Sequence, residues 1–283
     1  MTDPAQTRFA HRTISRLAYD PGDASDPGRP VVVLLHGMLG ERFTFAAVTA
    51  ALAPTARVVT PDARGHGISA TLANQWYSVG ELAQDLLAIL DQEGIARAHL
   101  VGHDLGAVTA LEVALRAPER VASLTLLDPT LGAALDNDPD PAARALRSTV
   151  RDRDRAAADA AYKGLTAKAL DGYLARRWGE EWRGLLPKPR QAMVMRNAAA
   201  LTGLLPALDS YAPGRSDLRA LAIPATLLCS ANAPEWERAI ADRLAGLLPA
   251  ARAADFPALA GPALPLPDEA AAALVAACTA ARA

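Results

Sequence analysis

Three short motifs carry the residues able to do chemistry. In Gly102-His103-Asp104-Leu105-Gly106 a carboxylate stands between two glycines, directly after the apolar run AHLV (98–101) and before a helix-like stretch, GAVTALEVALRAP (106–118). Gly-x-nucleophile-x-Gly at a strand-to-helix corner is a nucleophile elbow, in which the glycines permit a sharp turn and force the central side chain out at the top of a sheet. The free N–H groups of the following helix favour negative charge there. The second motif, His36-Gly37-Met38-Leu39-Gly40, follows VVVLL (31–35). Its loop can aim the Met38 N–H at the same point as the Leu105 N–H, and two such donors make an oxyanion hole. The third, PDARGHG (61–67), follows RVVT (57–60).

These motifs need a scaffold, and the sequence supplies one. VVVLL, RVVT, AHLV and SLTLL (123–127) are apolar runs bounded by turn residues, separated by TFAAVTAALAP (44–54) and VGELAQDLLAILDQEG (79–94). In the latter, Leu82, Leu86, Leu87 and Leu90 form one helical face and Gly94 is a stop signal. Strands alternating with helices predict a mostly parallel sheet covered on both faces. The alternation resumes with IPATLLC (223–229), EWERAIADRLAGLL (235–248), ARAADF (251–256) and a closing helix over 268–283. Between the two parts, residues 131–216 show no convincing strand. They open on the breaker-rich LDNDPDP (135–141) and continue as charged helical stretches. The expected organisation is an α/β core over 1–130 and 217–283 with a helical cap over 131–216. RDRDR (151–155) reads as a solvated helix face.

Composition narrows the function classes. With 51% apolar residues in 283, a sizeable core can be buried. A net charge of -2 argues against a nucleic-acid partner, and no apolar run reaches the roughly 18 residues of a membrane span. The opening residues, MTDPAQTRFAHRT, lack the apolar stretch of a secretion signal, so a cytoplasmic location is expected. Cys229 and Cys278 are the two cysteines and read as buried thiols. Without a CxxC pair, neither a disulfide scaffold nor a cysteine zinc site is expected. The abundance of Arg and Ala over Lys reads as coding bias.

In order and spacing, VVVLLHGMLG, PDARGHG, LVGHDLG and LTLLDP resemble the α/β-hydrolase fold family, over almost the whole chain. Each motif is weak alone and specific in combination. The Asp elbow resembles the epoxide hydrolase and haloalkane dehalogenase branch. There a carboxylate attacks an alkyl carbon, a histidine activates water against the resulting ester, and a second acid orients the histidine. The resemblance implies no cofactor or metal and a small-molecule substrate; a homodimer is also considered.

The sequence departs from that pattern in its base. The family's histidine is expected after the last strand, near FPALAGPALPLP (256–267), where Gly261 or a neighbour stands, and no histidine follows His103. After ATLLC (225–229), where the family often places its acid, come Ser230-Ala231-Asn232-Ala233-Pro234, and Glu235 is the nearest carboxylate. Asp128 occupies the alternative acid position after the sixth strand. General-base catalysis contributes on the order of 10²–10⁴ in rate, so an ester formed at Asp104 is expected to stall. Met38 and Leu105 offer only backbone donors where the dehalogenases carry a halide-holding side chain. Epoxide hydrolases use cap tyrosines to protonate the opening oxygen, for which Tyr162, Tyr173 and Tyr211 are the candidates.

The expected catalytic residues are therefore Asp104 and Asp128, with Met38 and Leu105 as oxyanion donors. His36, Tyr162, Tyr173 and Trp178 are candidate pocket residues, beneath a cap that shields a mostly apolar site. For each there is a plainer alternative: an inert carboxylate at a decayed elbow for Asp104, a strand-end cap for Asp128, and lid packing for Trp178 and the nearby Trp182, Met193 and Met195. His36 reads as a structural loop histidine, with a role as surrogate base held as an alternative. His66 reads as loop packing, and His103, expected to point away from the carboxylate, as structural. Three functions follow in order. The first is a cofactor-independent enzyme doing non-hydrolytic chemistry such as elimination, cyclisation or isomerisation on a small, largely apolar metabolite, in the manner of secondary metabolism. The second is a catalytically silent ligand- or partner-binding protein. The third is an epoxide hydrolase-like or esterase-like enzyme with a surrogate base.

Overall fold

The computed structural model describes residues 7–12, 15–69, 77–136, 138–261, 266 and 268–280. Eight strands form one sheet among these residues: β1 (Arg8–Arg12), β2 (Ser15–Asp20), β3 (Val31–Leu35), β4 (Arg57–Pro61), β5 (Ala98–His103), β6 (Val121–Leu127), β7 (Ala225–Ser230) and β8 (Ala251–Phe256). Their order is β1-β2-β4-β3-β5-β6-β7-β8. From β4 to β8 every pairing is parallel, while β1 and β2 form an antiparallel hairpin that joins the β4 edge. This is the α/β-hydrolase sheet that the motifs predicted. The hairpin is the addition: RFAHR and SRLAYD are short and largely polar, so neither stands out as an apolar run.

Helices cover both faces, which is why β3 and β4 are buried almost end to end rather than in alternation. One face carries α1 (Ala46–Leu52) and the C-terminal helix, where Val48, Leu52, Ala270 and Leu274 pack on Val32, Leu34 and Val101. The other carries α2 (Val79–Gln92) and α3 (Leu105–Arg116), whose Leu86, Ile89, Val108 and Leu111 pack on Val33, Leu100 and Leu124. Ser78 caps α2 by accepting from Glu81 N–H, so the helix begins where its apolar face begins.

Between β6 and β7 the described chain is helical: α4 (Pro141–Tyr162), α5 (Thr166–Trp178), α6 (Lys188–Asn197), α7 (Leu201–Ser210) and α8 (Arg215–Ala220), joined by short 3-10 turns. Their apolar sides bury Leu170, Tyr173, Leu174, Val194, Leu201 and Leu204 against Met38, Leu39 and Leu105 of the core, at the carboxyl ends of the strands. α9 (Glu235–Ala245) and α10 (Asp268–Ala280) complete the chain. Among the described residues, no helix is long and apolar enough to cross a membrane.

Candidate active site

β5 delivers Asp104 to the carboxyl edge of the sheet and α3 begins at the next residue. The turn between them is strained: Asp104 has φ 54° and ψ -116°, a region that non-glycine residues seldom occupy and that functional sites tend to hold. The flanking glycines explain how the corner closes. A Cβ on Gly102 would lie 2.3 Å from the Gly106 backbone, and one on Gly106 would lie 2.2 Å from Leu35 O. Helix and strand therefore touch through bare backbone, as the motif requires. Asp104 N–H donates to Leu127 O at 3.0 Å, tying the corner to β6.

The loop after β3 meets the carboxylate from the side. Met38 N–H donates to Asp104 Oδ2 at 2.8 Å. Of the two backbone donors expected, Met38 alone bonds the carboxylate; the Leu105 N–H, at the first position of α3, does not. Two histidines hold this loop. Ala63 N–H donates to His36 Nε2 at 2.9 Å, and Nδ1 faces Gly37 O at 2.8 Å. With one nitrogen accepting, the other carries the proton, so the ring is neutral and fully engaged. Leu39 N–H likewise donates to His66 Nε2 at 3.0 Å, with Nδ1 against Arg64 O at 3.2 Å. Burial lowers the pKa of both rings, that of His66 to about 3, and the two rings stack edge-on at 5.1 Å. His36 is thus a loop-building residue. Both of its nitrogens are spent, which removes it as surrogate base, and it is not among the residues lining the Asp104 cavity.

The second Asp104 oxygen has a different environment. Oδ1 is buried without a hydrogen-bond partner, and the residue as a whole lines a cavity of about 40 Å³. That is room for at least one water, which needs about 10–15 Å³ of such space. Met38, Leu174 and Trp178 supply its apolar walls, and His103, Tyr173, Arg176, Arg177 and Glu237 its polar ones. A mostly apolar site was expected. The charge comes from α5, where Tyr173, Arg176 and Arg177 lie three and four residues apart on one helical face. The Tyr173 hydroxyl donates to Asp104 Oδ2 at 3.4 Å, and burial, reinforced by the Asp104 carboxylate, raises its pKa and keeps it protonated. Arg176 lies over the Tyr173 ring at 4.3 Å and pairs with Asp154 at 3.3 Å. Burial opposes its charge, yet Asp154 and its other neighbours leave its pKa raised; burial also raises that of Asp154.

Asp128 sits at the end of β6, 1% exposed, with φ 44°. Its Oδ1 accepts from Ser230 N–H at 2.8 Å and its Oδ2 from Arg177 Nη2 at 2.9 Å. Arg177 also donates to Ser230 Oγ at 2.9 Å and pairs closely with Glu237. A guanidinium from α5 thus occupies both the retained acid and its neighbour. The carboxylate following β7 that reaches this region is Glu237, one helical turn into α9, rather than Glu235.

Two further candidates move. Tyr162, at the end of α4, is 78% exposed and takes no part in the cavity. Tyr211 donates to Glu112 Oε2 at 2.6 Å, away from Asp104. Trp178 lines the cavity as expected. Gly261 is described, but residues 262–265 and 267 of the same loop lie outside the described residues. His103 departs furthest from expectation: it lines the same cavity as Asp104. A Cβ on Gly37 would lie 3.0 Å from His103 Nδ1 and 3.1 Å from Asp104 Oδ2, so both groups pack close against that glycine. Sequence reading missed His103, Arg176, Arg177 and Glu237. The Tyr-x-x-Arg-Arg spacing of α5 was the one available signal.

Comparison with known proteins agrees with this fold. A family profile described as alpha/beta hydrolase fold matches residues 30–198. Epoxide hydrolase A of Mycobacterium tuberculosis is 33% identical over 62% of this chain and 55% of its own length. The dihydrolipoyllysine-residue acetyltransferase component of an acetoin cleaving system from Pseudomonas putida is 44% identical over 35% of this chain and 27% of its own. The chain thus spans about a quarter to just over half the length of these curated relatives. Among solved structures, a hydrolase from Pseudomonas aeruginosa superposes with a TM-score of 0.74 at 20% identity, over 99% of both chains. An enol-lactonase from Burkholderia xenovorans does so at 0.67 and 21%, over 97% of both. At such identities the structures speak for the fold alone.

Proposed function

The chain belongs to the α/β-hydrolase fold family, and on that premise we propose a cofactor-independent enzyme that acts on a small organic electrophile through the Asp104 carboxylate, with residues 131–216 as its cap. The observation that carries this reading is the unequal treatment of the two oxygens. Oδ2 is held by Met38 N–H, where developing charge is stabilised, while Oδ1 is buried and unpartnered, in a residue that lines the cavity. Oδ1 is the attacking atom. With an epoxide, the Oδ1–carbon bond forms as the ring carbon–oxygen bond breaks, and Tyr173 gives its proton to the departing oxygen. Tyr173, Leu174 and Trp178 of α5 wall this cavity, so a substrate bound at Asp104 would lie against that helix. The likeness to an epoxide hydrolase supports this choice of electrophile.

A second reading is non-hydrolytic proton transfer at Oδ1, giving elimination, cyclisation or isomerisation. It is favoured by the lack of any histidine after His103 and by the guanidinium that fills the Asp128 position. The test for both is intact-protein mass after exposure to propylene oxide. A mass gain in the wild type that is absent from Asp104→Asn supports the nucleophile. Isomerised products without a covalent adduct favour the second reading. Tight binding of a metabolite returned unchanged would instead favour a silent binding protein.

A further inference from the structure

We propose that His103 is the base that activates water against the Asp104 ester, in place of a histidine after the last strand. This rests on the reading of Asp104 as a nucleophile. Three observations support it. His103 and Asp104 line one cavity, which has room for at least one water. Nδ1 and Oδ2 each lie about one contact from the vacant Gly37 Cβ position, so they are separated by no more than two such contacts, yet no hydrogen bond joins them. A water bridging an imidazole nitrogen and the carboxylate spans such a gap. His36 and His66 are buried with their ring nitrogens spent on the loop, whereas the half-buried His103 makes no hydrogen bond through its ring nitrogens among the described residues.

The step balances without another reagent. Water attacks Cγ of the ester, and His103 Nδ1 takes one of its protons. The negative charge develops on Oδ2, against the Met38 N–H. Collapse breaks the Cγ–Oδ1 bond, and the leaving alkoxide takes the proton from the imidazolium. The new carboxyl proton returns to the Tyr173 phenolate, which restores the resting enzyme. One epoxide and one water give one diol. A base must be neutral to act, and burial lowers the His103 pKa below the ordinary 6.5. The charged and titratable groups facing it are Asp104 and Asp128, which raise that value, and Arg177 and His36, which lower it.

The experiment is single-turnover reaction of the full chain with propylene oxide, following both the protein-bound ester by mass and the free diol. His103→Gln is expected to accumulate the Asp104 ester, with release slowed on the order of 10²–10⁴-fold. In the wild type, release should be level at neutral pH and fall as the pH drops below the His103 pKa; this second readout needs no variant to fold. Release from His103→Gln at the wild-type rate, or a wild-type rate without that acid limb, overturns the proposal. If no ester forms at Asp104 in either protein, the nucleophile reading itself falls, and the proposal with it.

Discussion

One carboxylate oxygen at Asp104 is pinned and the other is free, and this asymmetry was invisible in the sequence. The Gly-x-Asp-x-Gly spacing could place a carboxylate at a corner; it could not say which atoms would meet it. Met38 was legible because a loop directly after a strand points its N–H groups in a known direction. Tyr173 was legible only as one of three tyrosines, and the structure selects it by distance. His103 was expected to point away from the carboxylate because side chains alternate along a strand, yet it lines the cavity with Asp104. Two outcomes follow for single residues. Tyr173→Phe keeps the ring and removes the proton donor, so alkylation by propylene oxide should slow by about 10²-fold or more, measured as the rate of mass gain; an unchanged rate would remove Tyr173 from the chemistry. Arg177→Ala leaves Asp128 and Glu237 buried and unpaired, and should cost about 3–5 kcal/mol in urea denaturation.

Among the elements, the elbow depends on bare backbone. Gly106→Ala places a methyl 2.2 Å from Leu35 O, so strand and helix must separate. The expected cost is about 1–3 kcal/mol or more, together with loss of the carboxylate's geometry. An unchanged denaturation midpoint would contradict the account of why glycine stands there. The strands of the parallel sheet were readable because burial on both faces makes them continuous apolar runs. The β1–β2 hairpin was not, since an edge pair of short, half-polar strands carries no such run. α5 is the informative helix: one face brings Tyr173, Arg176 and Arg177 to the cavity, and a mixed apolar and charged face reads from sequence as ordinary solvation.

At the scale of the whole molecule, desolvation lowers the pKa values of His36, His66 and His103, and this sets how the fold responds to acid. In the unfolded chain a histidine takes a proton below about 6.5. In the folded chain His66 does so only near 3. Between those values the unfolded state binds more protons, so stability falls as the pH falls, by up to about 1.4 kcal/mol per pH unit for each such histidine. Above about 6.5 the effect vanishes. Urea midpoints measured from pH 7.5 to 4.5 should show this decline, and His66→Asn should make it shallower; a midpoint independent of pH across that range would contradict the neutral rings. Overall architecture was the most legible feature of the chain, because periodicity and turn residues encode it locally. The contents of the cavity were the least legible, because they depend on which cap side chains arrive there.

The central claim is that Asp104 Oδ1 is the reactive atom, and peptide mapping after reaction with propylene oxide tests it most directly. The account predicts a label on the peptide carrying Asp104, formed in the wild type and in His103→Gln but not in Asp104→Asn. Labelling of the wild type and Asp104→Asn to the same extent, or at residues outside the cavity only, would contradict it.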